Sequence, residues 1–501
     1  MKPIYETFRN TKVYMAALIL LFTFNSISGE SGTQQEVPPP PAAARQIKVP
    51  KPFEKTLPNG LRVIVIEDTD VPLVSAQLLV RSGGEVDPAH LSGTADMTAA
   101  LLTKGTKKRS APQQAQAIEA LGGSLNSGAG WDASSASVSV MSSKAAQAIE
   151  ILADAVRNPT FKQDEIERLR RQYLDNFRVA FRQPSALANY VAMRVIYGNA
   201  AYGHPLSGTP ESVAQIKRDD IVSLHTTYYR PDNAVLLVAG DIKSVEAVKL
   251  AERLFGDWTK PTSPLEAMPQ DAGAAGSKPR VVVVDLPDAG QAAVAVARRG
   301  VRRADPDYFV GLVANSILGG GFSSRLNQEI RVKRGLSYGA FSSLAARRGE
   351  GALIASTQTK NESGAEVASL LIAELEKLAK EAIPESEITP RKAALIGGFA
   401  RGLETTDGLA AQLGSLALHG LSLDQINVYI KNVESVTEES VRRFAAAKLS
   451  SSNANIIVVG DSKKFIDELK KRFSEVEVIS ISELDLNQAT LRKSGSGQKA
   501  D

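Results

Sequence analysis

Tyr228-Tyr229-Arg230-Pro231-Asp232-Asn233-Ala234-Val235-Leu236-Leu237-Val238-Ala239-Gly240-Asp241 decides the architecture, because the chain repeats its plan later. Ser451-Ser452-Asn453-Ala454-Asn455-Ile456-Ile457-Val458-Val459-Gly460-Asp461 is again a polar turn, an apolar run and a Gly-Asp stop. A short apolar run bounded by turn residues predicts a buried strand. Gly240 and Gly460 lie 220 positions apart, so each copy closes a unit of about that size. Two tandem domains are therefore expected, at 49–260 and 280–483. Between them, residues 261–279 are rich in Pro, Gly and Ala and lack periodicity, as in a linker.

Outward from these closing strands, each half reads in the same style. In the first, Leu61–Glu67 follows the turn Pro58-Asn59-Gly60, and Leu73–Arg81 and Ser134–Ser142 are further strands. Helical periodicity marks Pro112–Leu121, Ala145–Arg157, the heavily charged Gln163–Arg182, and Arg218–Tyr228. In the second, Arg280–Asp285, Ala292–Arg298 and Ala352–Thr359 predict strands, while Asp307–Leu318, Ser363–Ala382 and Glu438–Lys448 predict helices. Strands and helices in this order argue for an α+β layer, each sheet backed by helices on one face.

Composition excludes several classes. With 43% apolar and 23% charged residues over 501 positions, the chain is ordinary for a soluble protein. A net charge of +4 spread along the sequence gives no nucleic-acid footprint; the densest basic cluster, Lys104–Arg109, reads as a solvated turn. Lys2, Arg9 and Lys12 precede an apolar run, Val13–Phe24, followed by small and polar residues. That is an export signal, assigned to residues 1–31. The run is short for a membrane span, so no stable span is expected once the signal is removed; a retained signal anchor is the alternative. Cysteine is absent, which suits a periplasmic location. A Pro/Ala-rich spacer at 32–48 and a disordered tail at 484–501 complete the plan.

Two segments carry chemistry. Leu318-Gly319-Gly320-Gly321-Phe322-Ser323-Ser324-Arg325-Leu326 leads into Gln328-Glu329-Ile330-Arg331-Val332-Lys333-Arg334-Gly335-Leu336-Ser337-Tyr338. The triple glycine lacks the Gly-Lys-Ser/Thr of a phosphate loop and follows a helix, so it reads as a tight turn or a substrate-facing loop. A helix ending at Gly335 and a strand beginning at Tyr338 would bring Arg331 and Tyr338 to one side. A guanidinium and a phenol suit a carbonyl oxygen that turns negative when water attacks. The structural alternative is a solvated helix arginine and a core tyrosine. His90, His204, His225 and His419 are not paired at helical or hairpin spacing, and no Gly-x-Ser-x-Gly elbow supports serine catalysis.

The second segment resembles the signature of the insulinase/pitrilysin family of zinc peptidases, which includes the mitochondrial processing peptidases. The resemblance covers roughly Pro52–Ile479 and implies two similar domains forming half of a clamshell. It also implies that Arg331 and Tyr338 reach the substrate carbonyl and that Gly319, Gly320 and Gly321 lie near the chamber. The family's zinc sits on an inverted His-x-x-Glu-His helix. Aligned on Lys104-Gly105-Thr106, that motif falls on Asp96-Met97-Thr98-Ala99-Ala100, where Asp96, Ala99 and Ala100 replace both histidines and the glutamate. The third ligand is a Glu about 75 to 80 residues further on, and no Glu occurs between Arg168 and Pro210. No metal is therefore expected in this chain, and the single chain is not expected to be active alone. The resemblance implies a heteromeric periplasmic metalloendopeptidase in which a homologous subunit brings His-x-x-Glu-His, zinc and the general base, and cuts unstructured peptides. The alternative is a catalytically inactive scaffold or peptide-binding assembly subunit.

Overall fold

The computed structural model describes residues 49–265 and 278–493. The expected signal and spacer (1–48), most of the 261–279 linker and the last eight positions lie outside the described residues. Six strands form the first sheet: β1 (Phe53–Thr56), β2 (Arg62–Glu67), β3 (Leu73–Val80), β4 (Ser124–Ala129), β5 (Ser134–Met141) and β6 (Ala234–Gly240). Their order is β1-β2-β6-β3-β5-β4. The second half opens with β7 (Val281–Asp285) and β8 (Ala292–Arg299). A two-residue parallel pair, β9 (Val301–Arg302) with β11 (Ala346–Arg347), flanks β10 (Ala340–Leu344). β12 (Ala352–Thr359), β13 (Asn455–Gly460) and β14 (Val476–Ser480) complete it.

Reading the second sheet as β14-β7-β13-β8-β12-β10 superimposes it on the first, strand for strand. The repeated closing strands β6 and β13 are both central. Each runs parallel to the first long strand of its half (β2, β7) and antiparallel to the next (β3, β8). Only the outer strand differs: β1 is antiparallel to β2, whereas β14 arrives from the C-terminus and is parallel to β7.

Alternation along these strands explains their unbroken apolar character. Val63 and Val65 face the first half's own helices, whereas Ile64 and Ile66 face the opposite way into a second core. Both faces of these central strands are buried, so Val63–Ile66 carries no polar residue. As expected, helices such as Ala145–Arg157 and Gly364–Lys380 back one face of each sheet. The other face is covered by a helix from the opposite half. Pro184–Tyr197 of the first half lies on Ala293, Ala295, Ala297, Ile457 and Val459 of the second. Thr406–Leu418 of the second lies on Ile64, Ile66, Val235 and Leu237 of the first. The halves consequently form one compact unit rather than two beads.

A polar lock adds to this exchange. The Arg348 backbone N–H donates to Asp132 Oδ2 at 2.8 Å, and its guanidinium reaches Glu85 Oε1 at 3.2 Å. Tyr202 Oη donates to the other Asp132 oxygen. The Arg347 guanidinium lies 4.7 Å from the Trp131 ring and 4.6 Å from that of Tyr202. Burial pushes the Glu85 carboxyl up to about 8, with Arg348 pulling against it.

The expected disorder from Leu484 onward is corrected for 484–493. Leu484, Leu486 and Leu491 are buried beside Pro184–Tyr197. Arg194 Nε donates to the Leu486 carbonyl at 2.9 Å, and Arg280 Nη1 to that of Ala489 at 2.9 Å. Three spaced leucines outweigh the polar residues around them.

Candidate functional site

The segment carrying Arg331 is built on close approaches. The helix Tyr308–Leu318 ends at Gly319, where a Cβ would sit 2.3 Å from the Ser342 nitrogen. At Gly320 a Cβ would meet Ser316 Cα at 2.7 Å. The first two glycines are thus required by contact with β10 and the preceding helix; Gly321 is open, with its nearest contact at 3.6 Å. A bidentate pair, Arg325 to Glu387 at 2.8 Å on both arms, ties the next turn to the helix Glu385–Gly402.

Residues Asn327–Lys333 are π-helical, a wider winding found mostly as local bulges at functional sites. The turn is closed by Gly335 in the left-handed region (φ +63°), with the Leu336 N–H on the Ile330 carbonyl at 2.9 Å. Asn327, fully buried, joins the whole segment. Its amide nitrogen donates to the Phe322 carbonyl, and its oxygen accepts from the Ala340 N–H at 3.2 Å.

Arg331 stands apart from its basic neighbours. Lys333 and Arg334 both pair with Glu329 at 3.0 Å. The Arg331 guanidinium instead lies 4.3 Å from the ring centroid of Phe322, a ring that is itself 60% exposed. A stacked guanidinium keeps its edge free to donate.

Tyr338 does not begin the strand, as the sequence suggested; β10 starts two residues later, at Ala340. It occupies a bend fixed on both sides. Ser337 Oγ accepts from the Gly339 N–H at 2.9 Å and bonds Thr357 Oγ1 at 2.6 Å. The Tyr338 side chain is 91% exposed, so the core-aromatic alternative fails. Beside it opens a cleft of about 460 Å³ between the exchanged helix Pro184–Tyr197 and strands β8 and β12. Phe322, Val332, Tyr338 and Phe341 are each exposed, and Tyr338 and Phe341 share the cleft.

Asp96, Ala99 and Ala100, onto which the resemblance aligned the metal motif, lie on the helix Thr94–Leu101. Asp87 caps it, accepting from the Gly93 and Ala95 N–H groups at 2.7 Å each. Gly93 has φ +93°, and a Cβ there would lie 2.7 Å from the Ser207 carbonyl oxygen, so the loop holding Ser207 is pressed against the helix start. Asp96 Oδ2 accepts from Ser207 Oγ at 2.7 Å and from Tyr173 Oη at 3.0 Å. Burial pushes the Asp96 carboxyl above its usual range, against those two hydrogen bonds. Met97, Ala99 and Leu101 are buried in the core.

This donor set does not fit zinc. Ala99 and Ala100 carry no ligand atom, and Asp96 is already engaged by two hydroxyls. Among the described residues, no group of three or more His, Cys, Asp or Glu is placed to hold a metal. Tyr173, which the sequence reading missed, sits on the helix Gln163–Ala180, 77 positions after Asp96. That spacing falls within the interval expected for the third ligand, with a phenol in place of a carboxylate.

The histidines stay scattered. His204 is buried between the carbonyls of Pro205 and Gly84, at 2.9 and 3.0 Å. His225 bonds the Val156 carbonyl, and burial pulls it down to about 4. His419 Nδ1 lies 2.8 Å from the Ser415 carbonyl, and His90 is an exposed surface residue.

Comparison with known proteins gives a consistent picture. A family model described as Insulinase (Peptidase family M16) matches residues 62–210, and one described as Peptidase M16 inactive domain matches residues 215–395. An uncharacterized zinc protease of Mycobacterium tuberculosis is 30% identical over 417 residues, which is 82% of this chain and 93% of that protein. The crystal structure of a peptidase M16 inactive domain from Pseudomonas fluorescens superimposes with a TM-score of 0.76 at 26% identity, over 82% of this chain and 98% of its own. The periplasmic protease PqqL from Escherichia coli shares the fold at 17% identity and a TM-score of 0.67, with 86% of this chain but only 50% of PqqL covered.

Proposed function

Because the chain belongs to the insulinase family, peptidase family M16, we propose that it is the metal-free subunit of a two-chain zinc endopeptidase. Its own contribution is to hold the carbonyl of a peptide bond between the Arg331 guanidinium and the Tyr338 phenol. Zinc and the general base come from a homologous partner carrying His-x-x-Glu-His. The N-terminal sequence makes the assembly periplasmic, and the substrates are unstructured peptides that can thread between two facing half-clamshells.

One observation carries this reading. Arg331 stacks on Phe322 rather than joining Lys333 and Arg334 on Glu329, and Tyr338 stands exposed on a clamped bend, while Asp96 of the helix Thr94–Leu101 is engaged by Tyr173 and Ser207. A fold that needed neither group would gain nothing from mounting an exposed tyrosine on a clamped bend. The exposed Phe322 and Val332 side chains supply apolar surface for a partner.

The test is co-expression with the zinc-bearing homologous subunit from the same source, followed by peptide cleavage. Arg331→Ala or Tyr338→Phe is expected to lower kcat on the order of 100-fold, as for loss of one oxyanion donor. Unchanged turnover in both variants would refute the proposal. A second reading, a non-catalytic scaffold or peptide-binding subunit, is favoured by the engagement of Asp96 with two hydroxyls. It predicts a stable complex whose hydrolysis ignores both substitutions.

A further inference from the structure

We propose that the cleft beside Tyr338 is a subsite for a bulky, uncharged side chain of the peptide, aromatic or branched aliphatic. The inference rests on the reading above and specifies its substrate. It stems from what lines the cleft: no Asp, Glu, Lys, Arg or His side chain, in a chain where 23% of residues are charged. Ala188 from the exchanged helix and Ala293, Ala295 and Ile354 from the sheet make the floor, and Phe341 makes a wall. Small residues on the floor leave the depth open; about 460 Å³ is ample for one large side chain and its flanking backbone. Asn189, Gln291 and Gln358 stand at the rim, offering amides to a peptide backbone.

The internal repeat provides a control. The equivalent cleft in the first half, about 220 Å³ between Thr406–Leu418 and the first sheet, is lined by Ser75, Gln77, Ser124, Asn126 and Asp407. Ser185 and Asp407 lie at matching positions of the two exchanged helices, as do Ala188 and Ala410. The same scaffold therefore accepts polar and charged residues in one copy, while the copy beside Tyr338 is apolar at its floor and uncharged at its rim. A Lys or Glu side chain entering it would shed water and meet no counter-ion. A Phe or Leu side chain would shed only apolar hydration.

Ser356 allows a clean test, because it is exposed on β12, pairs across from Phe341 and lines the cleft. The probes are fluorescein-labelled decapeptides of Gly and Ser with a single central Phe, Leu, Glu or Lys, titrated by anisotropy against the purified full chain. The Phe and Leu peptides are expected to bind at least about ten-fold more tightly than the Glu and Lys peptides. Ser356→Glu should reverse the order in favour of Lys, and Ser356→Phe should fill the cleft and weaken the Phe peptide; circular dichroism confirms that each variant is folded. Equal binding of all four peptides, no binding of any, or an order untouched by Ser356→Glu would overturn the proposal. The two readings fail separately. A side-chain preference together with Arg331-independent turnover removes the catalytic role but keeps the subsite. Arg331-dependent turnover without a preference does the opposite.

Discussion

The phenol of Tyr173 donates to the carboxylate of Asp96 at 3.0 Å, joining the two helices on which the resemblance would put metal ligands. Restoring the motif on one helix is therefore insufficient. Asp96→His, Ala99→Glu and Ala100→His together would still face a phenol, and Glu at the fully buried position 99 overpacks the core. The triple variant is expected to lose about 1–3 kcal/mol of stability and to retain little zinc after dialysis. Adding Tyr173→Glu supplies the missing ligand and should bring zinc to stoichiometric content by elemental analysis. Stoichiometric zinc in the triple variant, with Tyr173 intact, would show that the phenol is no obstacle.

Glu85 makes stability fall with pH. Its carboxyl titrates near 8 in the folded protein against an ordinary value of 4.5. Between those values the folded state holds a proton that the unfolded state has released, so raising the pH favours unfolding. The contribution is fully present below pH 4.5 and is lost by about pH 8. Melting temperature should decline across that window, and Glu85→Gln should flatten the decline while preserving the contact with Arg348. An unaltered slope in Glu85→Gln would assign the pH dependence to another group.

Asn327 is a positioning residue for the Arg331–Tyr338 segment. One side-chain amide fixes the carbonyl of Phe322, whose ring carries Arg331, and the nitrogen of Ala340, two residues beyond Tyr338. Asn327→Leu keeps the branched shape, at some cost in overpacking, and strands a buried acceptor and a buried donor, each costing about 1–3 kcal/mol. Urea unfolding should show that loss, and in the assembled complex kcat should drop while KM moves little. A stability loss with native kcat would confine Asn327 to a structural role.

The parts legible in the sequence were those with a period or a spacing. The Gly-Asp stops at 241 and 461 marked the two central strands, and Val63 to Ile66 gave β2 its identity. Arg331 and the glycine loop stood out through the family resemblance; the local punctuation of helix, glycine turn and strand gave only their setting. The exchanged helices left none. Pro184–Tyr197 and Thr406–Leu418 are apolar on nearly every side because each is wedged against a foreign sheet, so no polar stripe betrays a helical period. The edge strand β4 (SLNSGA) is short and mostly small or polar and was not legible, and β10 (AFSSL), of the same character, was expected but two residues too early. Tyr173 escaped for a different reason: a hydrogen bond between side chains on two helices has no spacing rule of its own.

Those unannounced helices should nevertheless control folding. Leu413 is fully buried, belongs to the second half by sequence, and packs on the first half's sheet beside Leu237 and Ile64. Leu413→Ala is expected to cost about 2–5 kcal/mol, the range for a truncated core leucine. Both tryptophans belong to the first half, but Trp131 touches Arg347 of the second; with Trp131→Phe as the background, Trp258 beside Phe255 reports the first half alone, whereas far-ultraviolet circular dichroism reports both. With the helices exchanged, Leu413→Ala should shift the two transitions together and to the same denaturant concentration. If the tryptophan transition stayed at its native midpoint while the dichroism transition split, the halves would be folding independently, and the exchange would be a passive contact.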